Sequence, residues 1–141
     1  MADPLKSFLE FMKVRENAAS AYVSGNAAPL DQLATHTSPA TFFGPAGDLV
    51  KGSAEVNSRY ASDAAQFASG HTHLEILHMD ASDNVAYWIG LQRASVLLAG
   101  REDAVEFNLR VTEVFRLEGN EWMMIHRHAD QLKAASRQQS S

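Results

Sequence analysis

Residues Phe107-Asn108-Leu109-Arg110-Val111-Thr112-Glu113-Val114-Phe115-Arg116-Leu117-Glu118-Gly119-Asn120-Glu121-Trp122-Met123-Met124-Ile125-His126-Arg127-His128-Ala129-Asp130 decide how this chain folds. Phe107, Leu109, Val111, Phe115 and Leu117 alternate with Asn108, Arg110, Thr112 and Arg116. A period of two is the mark of a strand with one face buried. Gly119-Asn120 supplies turn chemistry, and Trp122 to Asp130 runs back as the last strand.

The same period extends upstream. His71 to Met79 reads as a strand and Asp83-Asn84 as a turn. Val85, Tyr87, Ile89 and Leu91 then alternate with Ala86, Trp88, Gly90 and Gln92, and Gly100 to Asp103 turns the chain again. Before His71 the pattern is helical. Asp3 is placed to cap a helix with Pro4 at its first position. Leu5, Phe8, Leu9, Met12, Ala19 and Val23 form its apolar stripe, and Gly25-Asn26 stops it. A short helix over Pro29 to Ala34 follows, then a strand over Ala40 to Phe43 and a turn over Gly44 to Asp48. Ser53 is expected to cap a third helix with Val56, Tyr60, Ala64 and Phe67 on one face and Gly70 at its end. Helices first and a meander afterwards predict an α+β fold, not a parallel βαβ sheet.

The 141 residues suit one domain over 1–133, with 134–141 as a flexible polar tail. Hydrophobic residues at 45% and charged residues at 21% are globular values, sufficient for a core without staples. A net charge of −5 with no basic run argues against nucleic acid as a partner. The absence of cysteine suits a reducing compartment. No leader and no membrane span is read from the sequence, so a cytoplasmic setting is expected.

Glu113 is the residue out of pattern. It falls on the apolar parity of its strand, between Val111 and Phe115. A carboxylate among core positions must be paired, hydrogen-bonded or protonated. If Leu117 faces Trp122 across the turn, Phe115 faces Met124, Glu113 faces His126 and Val111 faces His128. A carboxylate beside an imidazole is an acid–base arrangement, which makes Glu113, His126 and His128 the candidate catalytic residues. The alternatives are a buried structural pair, or a wet strand end with another register.

His126, His128 and Asp130 share one parity, and His71 and His73 form a second His-x-His pair. Such pairs can present two imidazoles to a metal, but two ligands do not close a site, and no metal is assigned. Tyr60, Tyr87, Phe42 and Trp122 are expected on the inner side, as core or as pocket lining. Trp88, Arg110 and Arg127 are expected on the outer face, where an exposed tryptophan points to a homodimer. No glycine-rich phosphate loop or other cofactor motif is present, so no cofactor is expected.

The chain resembles the nuclear transport factor 2-like superfamily, from about Leu5 to Asp130. The resemblance rests on Ala40-Thr41-Phe42-Phe43-Gly44-Pro45 followed by Gly52. It rests also on Arg110 to Arg116, Gly119, Trp122 and Ile125-His126-Arg127-His128-Ala129-Asp130. The closing hairpin most resembles the SnoaL-like and ketosteroid isomerase-like branches, with echoes in the association domain of calcium/calmodulin-dependent kinase II. It implies a cone-shaped, cystatin-like roll: helices on a strongly curved, mainly antiparallel sheet around an internal pocket. Ketosteroid isomerase uses an aspartate base, with a tyrosine and a protonated aspartate as oxyanion hole. By the resemblance Glu113 takes the place of the protonated acid. The base position falls at about Gly44, which has no carboxylate, and the tyrosine position near Ala18, with Tyr22 one turn further on. True ketosteroid isomerase activity is therefore not implied.

The expected function is a small-molecule enzyme of isomerase, cyclase or dehydratase type, with Glu113 and His126 sharing acid–base work on an apolar substrate. The alternative is a non-catalytic ligand-binding or dimeric assembly domain. Tyr22, Phe42, Tyr60, Tyr87, Trp122 and Asp130 are the expected contacts to a small apolar or aromatic molecule.

Overall fold

The computed structural model describes residues 3–133. The expected tail, 134–141, lies outside the described residues. Three helices precede four long strands: α1 (Pro4–Tyr22), α2 (Ala28–Leu33), β1 (Thr41–Phe43), β2 (Leu49–Lys51), α3 (Ser53–Ala64), β3 (Phe67–Ala81), β4 (Val85–Leu98), β5 (Ala104–Glu118) and β6 (Glu121–Gln131). They form a 6-stranded sheet in the order β2-β1-β6-β5-β4-β3. All neighbours are antiparallel except β1 and β6, which run parallel. The sheet curls around the helices into the expected α+β cone.

Local chemistry sets the helix ends. The Asp3 carboxylate accepts from the Leu5 and Lys6 amides, satisfying donors that have no partner inside α1. Phe8, Met12, Arg15, Ala18 and Ala19 are the face that α1 buries. Leu9, expected on that stripe, is 48% exposed. Gly52 caps α3, and Ser53 is its first residue, so the expected Ser53 cap does not form. The third helix also ends early, and Phe67 opens β3 instead of closing α3.

Two register features aim the side chains. In β5 the alternation holds as read: Val111, Glu113 and Phe115 point inward and are buried. In β6 it does not. Phe115 pairs with Met124 but Val114 pairs with His126, so Ile125 is an extra residue opposite no partner. This β-bulge reverses the parity of everything after it. Glu113 consequently faces Arg127, not His126, and Val111 faces Ala129.

β4 is turned over relative to expectation as well. Ala86, Trp88, Gln92, Ala94 and Val96 are buried on the concave side, and Tyr87, Ile89 and Leu91 lie on the convex side. The aliphatics Ile89 and Leu91 are thus outside, and the concave side takes Trp88 and Gln92, whose polar atoms find partners there. Gly90 marks the tightest point: a Cβ there would lie 2.0 Å from the Glu75 carbonyl oxygen, beside the irregularity between Ile76 and His78 in β3. Phe8 closes the narrow end of the cone against Phe115 and Trp122, at ring separations of 5.2 and 5.6 Å.

Candidate functional site

One row of paired residues crosses the concave face. Trp88 is opposite Glu113, and Glu113 is opposite Arg127. Arg15 comes down from α1 above this row. Glu113 is 0% exposed. Its Oε1 accepts from Trp88 Nε1 and Arg15 Nε, both at 2.8 Å. Its Oε2 accepts from Arg15 Nη2 at 2.8 Å and Arg127 Nη1 at 2.5 Å. These bonds occupy the roughly four lone-pair sites a carboxylate offers. Burial pushes the carboxyl up, but the Arg15 guanidinium, and after it Arg127, outweigh burial and hold it at about 2. Glu113 is therefore an ionised and saturated acceptor, with no proton to donate and no free lone pair to take one.

Arg127 links this cluster to open space. Its Nη2 donates to Gln92 Oε1 at 2.8 Å, and Gln92 Nε2 donates in turn to Thr72 Oγ1 at 3.2 Å. Arg127, Gln92 and Gln131 form the polar part of the wall of a cavity of about 160 Å³ at the open end of the cone. Tyr22 and Val23 at the end of α1 form another side, with Phe67, Ala94, Val96 and Phe107 as the apolar wall. A cavity of this size is close to the roughly 150 Å³ that accepts a benzene ring. Burial, and then Asp63, push the Tyr22 phenol up to about 12, so it keeps its proton and remains a donor.

Of the residues expected to contact a ligand, Tyr22 lines this cavity. Phe42 and Tyr60 pack on each other at 5.3 Å in the core beneath α3. Trp122 donates to Ser7 Oγ at 2.9 Å and lines a separate groove between α1, α2 and the β5–β6 hairpin. Tyr87 lies on the convex side, its hydroxyl 3.4 Å from His78 Nδ1. Asp130 is there too, paired with Arg110 through two 2.7 Å bonds.

The bulge carries His126 and His128 to the convex side. His126 Nδ1 lies 2.7 Å from Thr41 Oγ1, and Phe43 packs edge-on against both imidazoles. Burial, and then His128, lower the His126 pKa, while Glu113 through the sheet raises it. The expected Glu113–His126 pair does not form, because the two side chains are on opposite faces. Trp88 and Arg127, expected outside, are inside, and Trp88 is 0% exposed. Among the described residues no group of three or more His, Asp or Glu side chains is placed to hold a metal.

Sequence reasoning missed Arg15, Gln92 and Arg127. Arg15 was within reach of it: it lies three residues after Met12 and four before Ala19, on the apolar stripe of α1, a charge out of place in the same way as Glu113. Gln92 and Arg127 had no comparable signal, since both were assigned to outward parities.

The fold is widespread among solved structures. A protein described as a putative dehydratase of the nuclear transport factor 2-like family, from Streptomyces avermitilis, superposes with a TM-score of 0.77 at 18% identity, over 92% of this chain and 98% of that one. A nuclear transport factor 2-like superfamily protein from Salmonella enterica gives 0.78 at 13% identity, over 94% and 95%. The CaMKII hub of S. rosetta gives 0.68 at 20% identity, over 94% and 99%. At these identities the likeness is one of fold. No curated protein matches the sequence. The SnoaL-like domain family matches it over residues 12–131, nearly the full length of the cone. That match places this chain in the SnoaL-like family of the nuclear transport factor 2-like superfamily.

Proposed function

We propose that this protein binds a small, mainly apolar molecule in the cavity at the open end of the cone. The observation that carries the reading is the wall itself: Phe67, Ala94, Val96 and Phe107 provide apolar surface, and Tyr22, Gln92 and Arg127 provide a few convergent polar groups. Binding is favoured over acid–base chemistry by Glu113, whose acceptor sites are filled and whose carboxyl is ionised. A dehydratase- or isomerase-type reaction would have to draw its proton carrier from Tyr22 or from the ligand. The test is a titration with indole, a neutral aromatic probe, followed by nuclear magnetic resonance at the Ala94 and Val96 amides. Saturable shifts there that disappear in Ala94→Trp, which fills the cavity, support the reading. Unmoved cavity amides overturn it.

A second reading concerns the convex face. We propose that it pairs with a second copy of the chain. Leu77 is 62% exposed there, beside the half-buried Ile89 and Leu91, and such an apolar face suits an interface. The resemblance to a hub domain supports the same reading. Light scattering at micromolar concentration is expected to give a dimer that Leu77→Arg converts to monomer. A monomeric parent protein removes this reading and leaves the cavity untouched.

A further inference from the structure

The cluster behind the cavity is not balanced in charge. Arg15 and Arg127 both pair with Glu113, so two guanidinium groups share one carboxylate. Arg15 is 3% exposed, and its Nη1 is buried with no hydrogen-bond partner. An unsatisfied donor on a buried cation is costly unless an anion supplies the missing interaction. The neighbouring cluster has the opposite excess, since Arg59 pairs with both Asp48 and Asp63. Those three side chains are between 29% and 38% exposed, however, where water screens them. They do not neutralise a positive charge held in the core.

Arg127 carries this excess to the cavity wall. Of its N–H groups, one on Nη1 serves Glu113 and one on Nη2 serves Gln92, leaving others for a ligand. Tyr22, on the same wall, keeps its phenolic proton as a second donor. Gln92 and Gln131 apart, the rest of the wall is apolar, and the space is about that of one ring. One unbalanced charge and an apolar sleeve fit a single carboxylate on a hydrocarbon body better than phosphate, which brings more charge and no body.

Resting on the cavity reading above, we infer that the occupant is an organic monocarboxylate. Its carboxylate docks on Arg127 with Tyr22 donating to it, and its body lies against Phe67, Ala94, Val96 and Phe107. Gln92 and Glu113 act as positioning residues that hold the guanidinium plane of Arg127 toward the cavity.

The experiment compares acids with their neutral amides of matched shape: benzoate with benzamide, and hexanoate with hexanamide. Each is titrated into the full chain and followed at the Ala94 and Val96 amides and at the Trp88 indole N–H, which is bonded to Glu113. The acids are expected to bind at least about tenfold more tightly than their amides, as a charge-assisted contact should. Arg127→Met should abolish the preference, bringing each acid and its amide to equal affinity. If Arg127→Met does not fold, as judged by its melting curve, Tyr22→Phe is the second variant and should reduce the preference about threefold by removing one neutral hydrogen bond. Equal binding of acid and amide at the cavity amides overturns the carboxylate inference and leaves the cavity reading intact. Acid binding with shifts confined to residues outside the cavity overturns it too. Failure of all four ligands, with indole also silent, overturns both.

Discussion

Arg15 and Glu113, 98 positions apart in the chain, meet through two parallel hydrogen bonds of 2.8 Å in the centre of the molecule. Neither side chain has appreciable contact with solvent. The pair ties α1 to β5, the third of the four long strands, so its rupture should be felt by the whole domain.

Glu113→Gln keeps the shape and removes the charge. Two buried guanidinium groups then lose their shared counter-ion, a loss typically of about 3–5 kcal/mol. For a domain of this length that corresponds to a fall in melting temperature of very roughly 10 °C or more. Calorimetry or circular dichroism reads this directly. A melting point within a degree or two of the parent would mean that the pair contributes little net stability.

Acid should act through the same carboxyl. The fold holds Glu113 at about 2, below its ordinary value of 4.5, so on acidification the unfolded chain takes up this proton first. The stabilisation is complete above about 4.5 and is lost as pH falls toward about 2. Urea midpoints across this window should therefore decline more steeply for the parent than for Glu113→Gln. Parallel declines would assign the acid sensitivity to other carboxylates.

His126 should act at milder pH. Burial and the neighbouring His128 lower its pKa from 6.5 in the folded protein. The unfolded state thus binds the proton first as pH drops below 6.5, and stability falls with it. His126→Asn should flatten that decline in urea melts. An unchanged slope would point to the other histidines.

Gly90→Ala tests the close approach of β4 to β3. The new methyl would meet the Glu75 backbone, which cannot move aside as a flexible side chain could. Overpacking of this kind costs about 1–3 kcal/mol, measurable in the denaturant midpoint. No change would mean that the irregularity near Ile76 relaxes freely.

Much of this architecture could be read from the residues. The alternation of Leu109, Val111, Phe115 and Leu117 announced β5 and its buried face, and Glu113 stood out as a charge on that face. The cap at Asp3-Pro4 located the start of α1 to the residue. The site was less legible, because it depends on facing directions. In β4 both parities carry apolar residues, so alternation alone could not say that Trp88 faces in and Tyr87 out. The burial of Trp88 beside Glu113 and Arg15 settles that, and it is a tertiary fact. In β6, nothing in Met123-Met124-Ile125-His126 announces an extra residue, and with it went the partner of Glu113. Of Trp88, Arg110 and Arg127, the residues that point to a convex-face dimer in the sequence, only Arg110 is outside. The exposed Leu77 and half-buried Ile89 and Leu91 are what favour it now.

Ile125 acts on the sheet as a frameshift acts on a coding strand. Every residue downstream is the same, but each is delivered to the opposite side. Let Ile125 pair with Val114 as an ordinary residue of the ladder, and His126 would arrive opposite Glu113 while Arg127 turned to the exterior. A histidine beside a carboxylate and an arginine beside a carboxylate are different chemistries, the one suited to moving protons and the other to holding an anion. The presence or absence of the bulge alone would convert one into the other, with no change of residue at Glu113, His126 or Arg127.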